Sequence, residues 1–471
     1  MRLTFGSSSM AICFAMSSAL FSFASIAATP PTLPNDNLLP SGSRVGLIAQ
    51  APNTPIQSEN KDQLFPPAST LKVFTALAAK LELGDNFKFN TTLEKQGKDV
   101  VLRFKGDPSL TTLDVRNLIK QAGIRQIDGN LIIDGTAFTG YEKAIGWPWD
   151  NLGVCYSTIS SSMTLNGNCV YGSIYTNADG TTRAHTSPQQ PVKVVSTAKA
   201  VNYQEYKDTF CDLDLVAYPS NNYQISGCLI KRKDPLPLKF AVQNAFMYNA
   251  ATIKQILKDQ KVTLRGQIML ASSPIAKGSV LASHSSAALP ILLDHMLKAS
   301  DNLYANNIAK TVGAHYFNQA GSFRNGAEAT KRVLKEKAGI DLENAILVDG
   351  SGLSRTNRVT PSQLFAALQY IKANDSKLNF VSLLPKSGES GTLKYRRSMR
   401  SDWIKGKIAA KSGSLFATYN MAGFVLDANG KPSTVFVQMV ADYNLVKSKG
   451  STPPLTQFEQ AYYKSLVDSV R

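Results

Sequence analysis

The stretch Ser69-Thr-Leu-Lys-Val-Phe-Thr-Ala-Leu-Ala-Ala-Lys-Leu-Glu-Leu83 decides how the rest of the chain is read. Leu71, Phe74, Leu77, Ala78 and Leu81 recur at the period of an α-helix, which predicts an amphipathic helix with one face turned to a core. Pro66-Pro67 stops anything helical before it, Ser69 is placed to cap it, and Gly84 ends it. Ser69 and Lys72 stand three residues apart on one helix face, so an amine can reach the hydroxyl. A serine hydroxyl is a poor nucleophile until a base takes its proton, and a desolvated lysine can be that base. The same spacing recurs at Ser58/Lys61 and Ser196/Lys199. Only Ser69 opens a strongly apolar helix, at the positive end of its dipole.

Three stretches extend outward from this helix. Before it, residues 44–51 read as a strand. After Gly84 comes a tract of about 200 residues that looks inserted. It alternates short strands (100–105, 129–134) with a helix (112–122), then turns Ser/Asn/Thr/Gly-rich and β-leaning from about Ser157 to Pro235. A helix over 251–260 and a strand over 266–271 close it. From about His284 the chain is helical (289–298, 303–311, 327–338). It ends in strands over 405–411, 419–426 and 433–441, with a turn at Asn429-Gly430, and a helix over 455–467. Helices flanked by strands near both ends predict an α/β domain whose sheet uses both ends of the chain.

The 471 residues carry 51 Lys+Arg against 34 Asp+Glu, a formal charge of +17, with 43% hydrophobic residues. That composition excludes a disordered tail or a fibre. Its basic residues are scattered and lack interleaved aromatics, so no nucleic-acid partner is expected. Arg2, the apolar run 10–23 and Ser25-Ile26-Ala27 read as a cleavable signal peptide over 1–27, implying export without a transmembrane anchor. Cys13 leaves with it, and the mature chain keeps Cys155, Cys169, Cys211 and Cys228. An even count in an oxidising compartment implies two disulfides. Of the three pairings, Cys155–Cys169 and Cys211–Cys228 each close a short loop and are expected. With no Cys-x-x-Cys or His-Glu-x-x-His motif, neither metal nor cofactor is expected.

Two further elements could carry chemistry. Ser300-Asp301-Asn302 falls between two predicted helices. Lys411-Ser412-Gly413-Ser414 ends a predicted strand, where Gly413 admits a close backbone approach and Lys411 offers a cation. Ser-x-x-Lys, Ser-x-Asn and Lys-Ser/Thr-Gly in this order form the motif set of penicillin-binding proteins and serine β-lactamases. Ser300-Asp-Asn-Leu-Tyr-Ala-Asn and Asp349-Gly-Ser-Gly-Leu-Ser-Arg355-Thr-Asn357 closely resemble class C low-molecular-mass penicillin-binding proteins, the D-alanyl-D-alanine carboxypeptidases/endopeptidases. Ile127-Asp-Gly-Asn-Leu-Ile-Ile-Asp134, Gly146-Trp-Pro-Trp149 and Pro235-Leu-Pro-Leu238 look like that family too.

The resemblance implies a multi-domain α/β protein. Residues 28–85 and 282–471 would form a serine β-lactamase/transpeptidase-like domain with a central antiparallel sheet and flanking helices. It would be split by an α/β domain (86–156 and 236–281) that itself contains a β-rich domain (157–235). It implies a periplasmic enzyme acting on peptidoglycan peptides and acylated by β-lactam antibiotics. Ser69 would be the nucleophile, Lys72 its base, Ser300 a proton relay and Asn302 an orienting group. Lys411 would set the field and Ser412 hold the substrate carboxylate, with Gly413 and Ser414 beside it. The N–H groups of Ser69 and Ser414 would form the oxyanion hole. Asp134, Phe138 and Arg355 look like positions that read the free end of a diaminopimelate side chain. Ser412 stands where many relatives carry Thr, and both offer a hydroxyl. The oligomeric state stays open, a homodimer among the options. A secreted β-lactamase would be smaller and needs a separate deacylating group, such as a Glu on a loop, and no Glu-x-x-Leu-Asn motif lies between the first two elements. The intact motifs speak against a silent wall-binding protein. Four His residues without Gly-x-Ser-x-Gly give a Ser-His-Asp hydrolase little support.

Overall fold

The computed structural model describes residues 29–444 and 452–470, so the signal-peptide reading lies outside the described residues. Strands β1 (Arg44–Gln50), β2 (Gln57–Glu59), β3 (Ile408–Leu415), β4 (Thr418–Leu426) and β5 (Pro432–Ala441) build one sheet. Its order is β3-β4-β5-β1-β2, and every neighbouring pair is antiparallel. The sheet draws on both ends of the chain, as expected. β5 shows why it is nearly all apolar: Val435, Val437, Met439 and Ala441 enter one core and Phe436 and Val440 another. Alternate side chains point to opposite faces, and both faces are covered.

One face carries α1 (Lys72–Leu83), α2 (Leu289–Lys298), α3 (Asn302–Phe317), α4 (Phe323–Ala338) and α5 (Pro361–Leu378). The other carries α6 (Pro454–Asp468), through Phe458, Tyr462 and Tyr463. Two readings of the opening stretch need correction. The α-helix starts at Lys72, not Ser69: residues Ala68–Leu71 form a 3-10 turn, and Ser69 caps nothing. Nor is the helix amphipathic, because every residue from Lys72 to Lys80 is buried. It is the spine of the helical layer, and its alanines let neighbouring helices approach all round. The sequence reading also missed α5, although Thr360 and Gln363 form a capping box and Pro361 occupies the first turn. The strand expected over 405–411 runs on to Leu415, so Lys411, Ser412 and Gly413 lie within it. Pairing with β4 across a tight hairpin, with Ala417 at φ +56°, extends the strand beyond its apolar run.

The insertion carries a five-stranded sheet in the order Ile268–Leu270, Leu131–Asp134, Asp99–Arg103, Asn90–Gln96, Ser279–Ser285. Its last strand runs past residue 281. Smaller sheets surround Cys169–Thr176 and Asn222–Ile230. One continuous apolar cluster joins Leu102 and Ile133 through Leu165 to Tyr223 and Phe240, so the β-rich tract shares a core with the larger sheet. Cys155 pairs with Cys169 and Cys211 with Cys228, the pairing expected from loop length.

Burial sets what a helical leucine contributes to stability. Leu77→Ala, at a position with 0% exposure, is expected to cost about 2–5 kcal/mol in denaturant unfolding. Leu113→Ala, at 62% exposure in the insertion, should cost under about 0.5 kcal/mol.

Candidate active site

The site begins with a strained turn. Pro66-Pro67 leads into Ala68, whose φ of +46° a residue with a side chain rarely adopts. Asn420 on β4 holds this turn: its buried Nδ2 donates to the carbonyls of Pro66 (2.8 Å) and Pro67 (2.9 Å). Its cross-strand partner is Gly413. A Cβ at Gly413 would lie 2.8 Å from the Pro67 carbonyl and 3.0 Å from the Ser69 nitrogen, so only glycine lets β3 come this close. On the other side a Cβ at Gly352 would sit 1.8 Å from the Ala68 carbonyl. Ser69 is thus gripped between a strand and the 349–357 loop, half-buried at the start of the helical layer.

Lys72, one turn on, has no contact with water. Its Nζ lies 2.9 Å from Ser69 Oγ and donates to Asn302 Oδ1 (2.7 Å) and the Ser351 carbonyl (2.7 Å). Burial pushes the amine down to about 7, while the carboxylates of Asp349 and Asp301 pull it back up. Two of the three partners can only accept, so a neutral amine spends both N–H groups on them. Its lone pair is left facing Ser69 Oγ, the geometry a general base requires.

Ser300 occupies the sharp bend between α2 and α3 at φ +58°. Its Oγ accepts from Lys411 Nζ at 3.0 Å, and the same amine donates to the Ser412 carbonyl at 2.8 Å. Burial, with the charges of Lys72 and Arg396 added, holds Lys411 well below its ordinary value. Ser412 Oγ lies 2.7 Å from Thr392 Oγ1, and Ser414 is exposed beyond it. The three motifs, more than 340 residues apart at their extremes, therefore converge as expected.

Two expected site residues do not join them. Asp134 is buried in the insertion's sheet, where Arg103 pairs with one oxygen and Thr136 donates to the other from its N–H and hydroxyl. Phe138 packs over Gly106 and beneath the Lys310 amine. A carboxylate with both oxygens occupied and no exposure cannot receive a substrate ammonium. Arg355, by contrast, is exposed on the 349–357 loop, with its guanidinium 6.0 Å from the Phe416 ring.

Other groups at the site escaped the sequence reading. Asp349 accepts from the N–H groups of Gly352 and Ser354, from Asn357 Nδ2 and from Trp147 Nε1. It shapes the loop that presents the Ser351 carbonyl. Tyr156 offers its carbonyl to Asn302 Nδ2 at 2.8 Å, which fixes the amide so that Oδ1 faces Lys72. Burial raises the Tyr156 phenol, with the charge of Asp150 adding to the rise and that of Arg355 opposing it. Asp349 and Trp147 sit in the quoted Asp349–Asn357 segment and Gly-Trp-Pro-Trp motif, the signals that could have pointed here. A backbone carbonyl such as that of Tyr156 leaves no mark in a sequence.

A three-motif cluster at the junction of an antiparallel sheet and a helical layer, with a long insertion, defines the class C low-molecular-mass penicillin-binding proteins, which are serine-type carboxypeptidases. The D-Ala-D-Ala carboxypeptidase 3 (S13) family model matches residues 33–462, and the chain belongs to that family. It is 36% identical over 475 residues to the D-alanyl-D-alanine carboxypeptidase DacB of Haemophilus influenzae, covering 96% of this chain and 98% of that one. A D-alanyl-D-alanine carboxypeptidase of an Actinomadura species is 26% identical over 416 residues, 83% of this chain and 76% of that one. The crystal structure of H. influenzae penicillin binding protein 4 superposes with a TM-score of 0.85 at 35% identity, covering 92% of this chain and 98% of that one. The structure of that protein complexed with a β-lactam gives 0.80 at 34% identity over the same shares.

Asn420→Ala removes both hydrogen bonds to the turn before Ser69. It is expected to cost about 1–3 kcal/mol in thermal unfolding.

Proposed function

We propose that the protein is a periplasmic D-alanyl-D-alanine carboxypeptidase and endopeptidase that works through an acyl-enzyme on Ser69. The observation that carries this reading is the placement of the buried Lys72 amine between Ser69 Oγ, Asn302 Oδ1 and the Ser351 carbonyl. Lys72 takes the hydroxyl proton as Ser69 Oγ attacks the carbonyl of the penultimate D-Ala. The backbone N–H groups of Ser69 and Ser414 receive the oxyanion, the term usually worth most in acyl transfer. Ser300 passes a proton to the leaving amine, Lys411 holds a positive field, and Ser412 binds the substrate carboxylate. Water then hydrolyses the ester. When the leaving amine belongs to a diaminopimelate of a neighbouring stem, the same steps open a crosslink.

Arg355 and Asp150, opposite charges that both act on the Tyr156 phenol, would read the carboxylate and ammonium at the free end of a diaminopimelate side chain. The periplasmic setting is supported by the two disulfides. Among the described residues no helix is long and apolar enough to cross a membrane.

Intact mass after mixing with benzylpenicillin tests the reading: a lasting adduct on the wild type and none on Ser69→Ala is expected. D-Ala release should fall at least about a thousandfold in that variant. Unchanged turnover by Ser69→Ala overturns the assignment. Because Lys72 works as the neutral amine and is pushed down to about 7, acylation should quicken as pH rises through about 7 and level off above it. A rate independent of pH between 5 and 9 removes Lys72 from the role of base.

A further inference from the structure

Between α4 and residues 139–145 of the insertion runs an open groove of about 880 Å³ that the chemistry at Ser69 does not use. Its apolar lining includes Ile145, Phe323 and Val348, and Arg324, Lys331 and Arg332 stand over it against the single carboxylate of Glu328. Arg332 is paired with Glu328, and Lys331 donates to the carbonyls of Glu343 and Ala345. Arg324 differs from both. It is exposed, and among the described residues its side chain has no ion pair or hydrogen bond. It also lies in the first turn of α4, which contains no acidic residue, where the helix dipole disfavours a cation. Among the described residues nothing compensates this charge, whereas an anion in the groove would.

The groove also borders the 349–357 loop of the site. The Ile145 carbonyl accepts from Ser354 Oγ at 2.7 Å, and the Val348 N–H donates to Asn357 Oδ1 at 2.7 Å. Three residues past Val348 stands Ser351, whose carbonyl holds Lys72. Three residues of chain span about 10 Å at most, and two hydrogen bonds through Lys72 join the Ser351 carbonyl to Ser69 Oγ, so the Val348 end of the groove lies within roughly 16 Å of the nucleophile, about four or five peptide units.

We infer that this groove holds the second stem peptide of a crosslinked substrate, an acidic peptide with small apolar side chains, tethered to the peptide that acylates Ser69. The inference rests on the carboxypeptidase/endopeptidase reading above. Carboxylates meet Arg324 and its neighbours while alanine methyls lie against Phe323 and Val348. The groove then favours crosslinked over monomeric substrate.

The test compares kcat/KM for a glycan-free crosslinked stem-peptide dimer and for a monomeric pentapeptide, in wild type, Arg324→Gln and Arg324→Glu. The dimer value should fall about three- to tenfold in Arg324→Glu and less in Arg324→Gln, with the monomer value within about twofold. The wild-type preference should also shrink as salt is raised. Equal losses on both substrates, no loss on the dimer, or a wild type that is acylated but leaves the dimer uncut overturns the inference. Benzylpenicillin adducts measured on the same samples separate the two readings: no adduct on any variant overturns the Ser69 reading, whereas adducts without substrate discrimination overturn the groove alone.

Discussion

A lysine amine without access to water must find its hydrogen-bond partners in the protein, and Lys72 finds them in three separate parts of the chain. Ser69 lies one turn before it, Asn302 opens α3, and Ser351 comes from the loop after α4. Leaving such a group unpaired would cost several kcal/mol, so these elements cannot shift independently. The same burial that imposes this constraint lowers the amine's proton affinity to the range where a base is useful near neutrality. Stability and chemistry are therefore tied to one atom. Lys411, buried nearby, is lowered in turn by its own burial and by the charges of Lys72 and Arg396.

Around this amine, the approach of backbones decides reactivity. Gly413 and Gly352 lie on opposite sides of the Ser69 turn, and each would clash with it if it carried a side chain. Asn420 ties the turn to the sheet. A strained residue such as Ala68 persists only where its surroundings over-determine it, and here both a strand and a loop do so.

The insertion is more than an appendage. Trp147 donates to Asp349, and the Tyr156 carbonyl fixes the Asn302 amide, so two inserted residues act on the loop and the side chain that hold Lys72. Asn307 and Lys310 on α3 extend the contact, bonding to Ser160, Gly106 and Tyr141. A long insertion placed between the first two motifs thus helps to form the site it interrupts.

Much of this was legible in the sequence, for reasons that differ by element. Apart from α5, the helices of the motif-bearing domain and its terminal strands were visible because their apolar residues repeat at 3.6 or 2, and the three motifs because their order resembles that of a known family. Loop length indicated the disulfide pairing. Other features depend on neighbours that spacing does not name. Whether α1 is amphipathic or buried all round depends on what packs against its polar-looking face. Asp134 and Arg355 looked equivalent as charged residues in family-like segments, yet one is consumed by Arg103 and the other stands free at the site. The sequence by itself determined which residues could react and in which local structures they sit. The tertiary structure alone decided which carbonyls and charges surround them, because hydrogen-bond partners and desolvation arise between segments hundreds of residues apart.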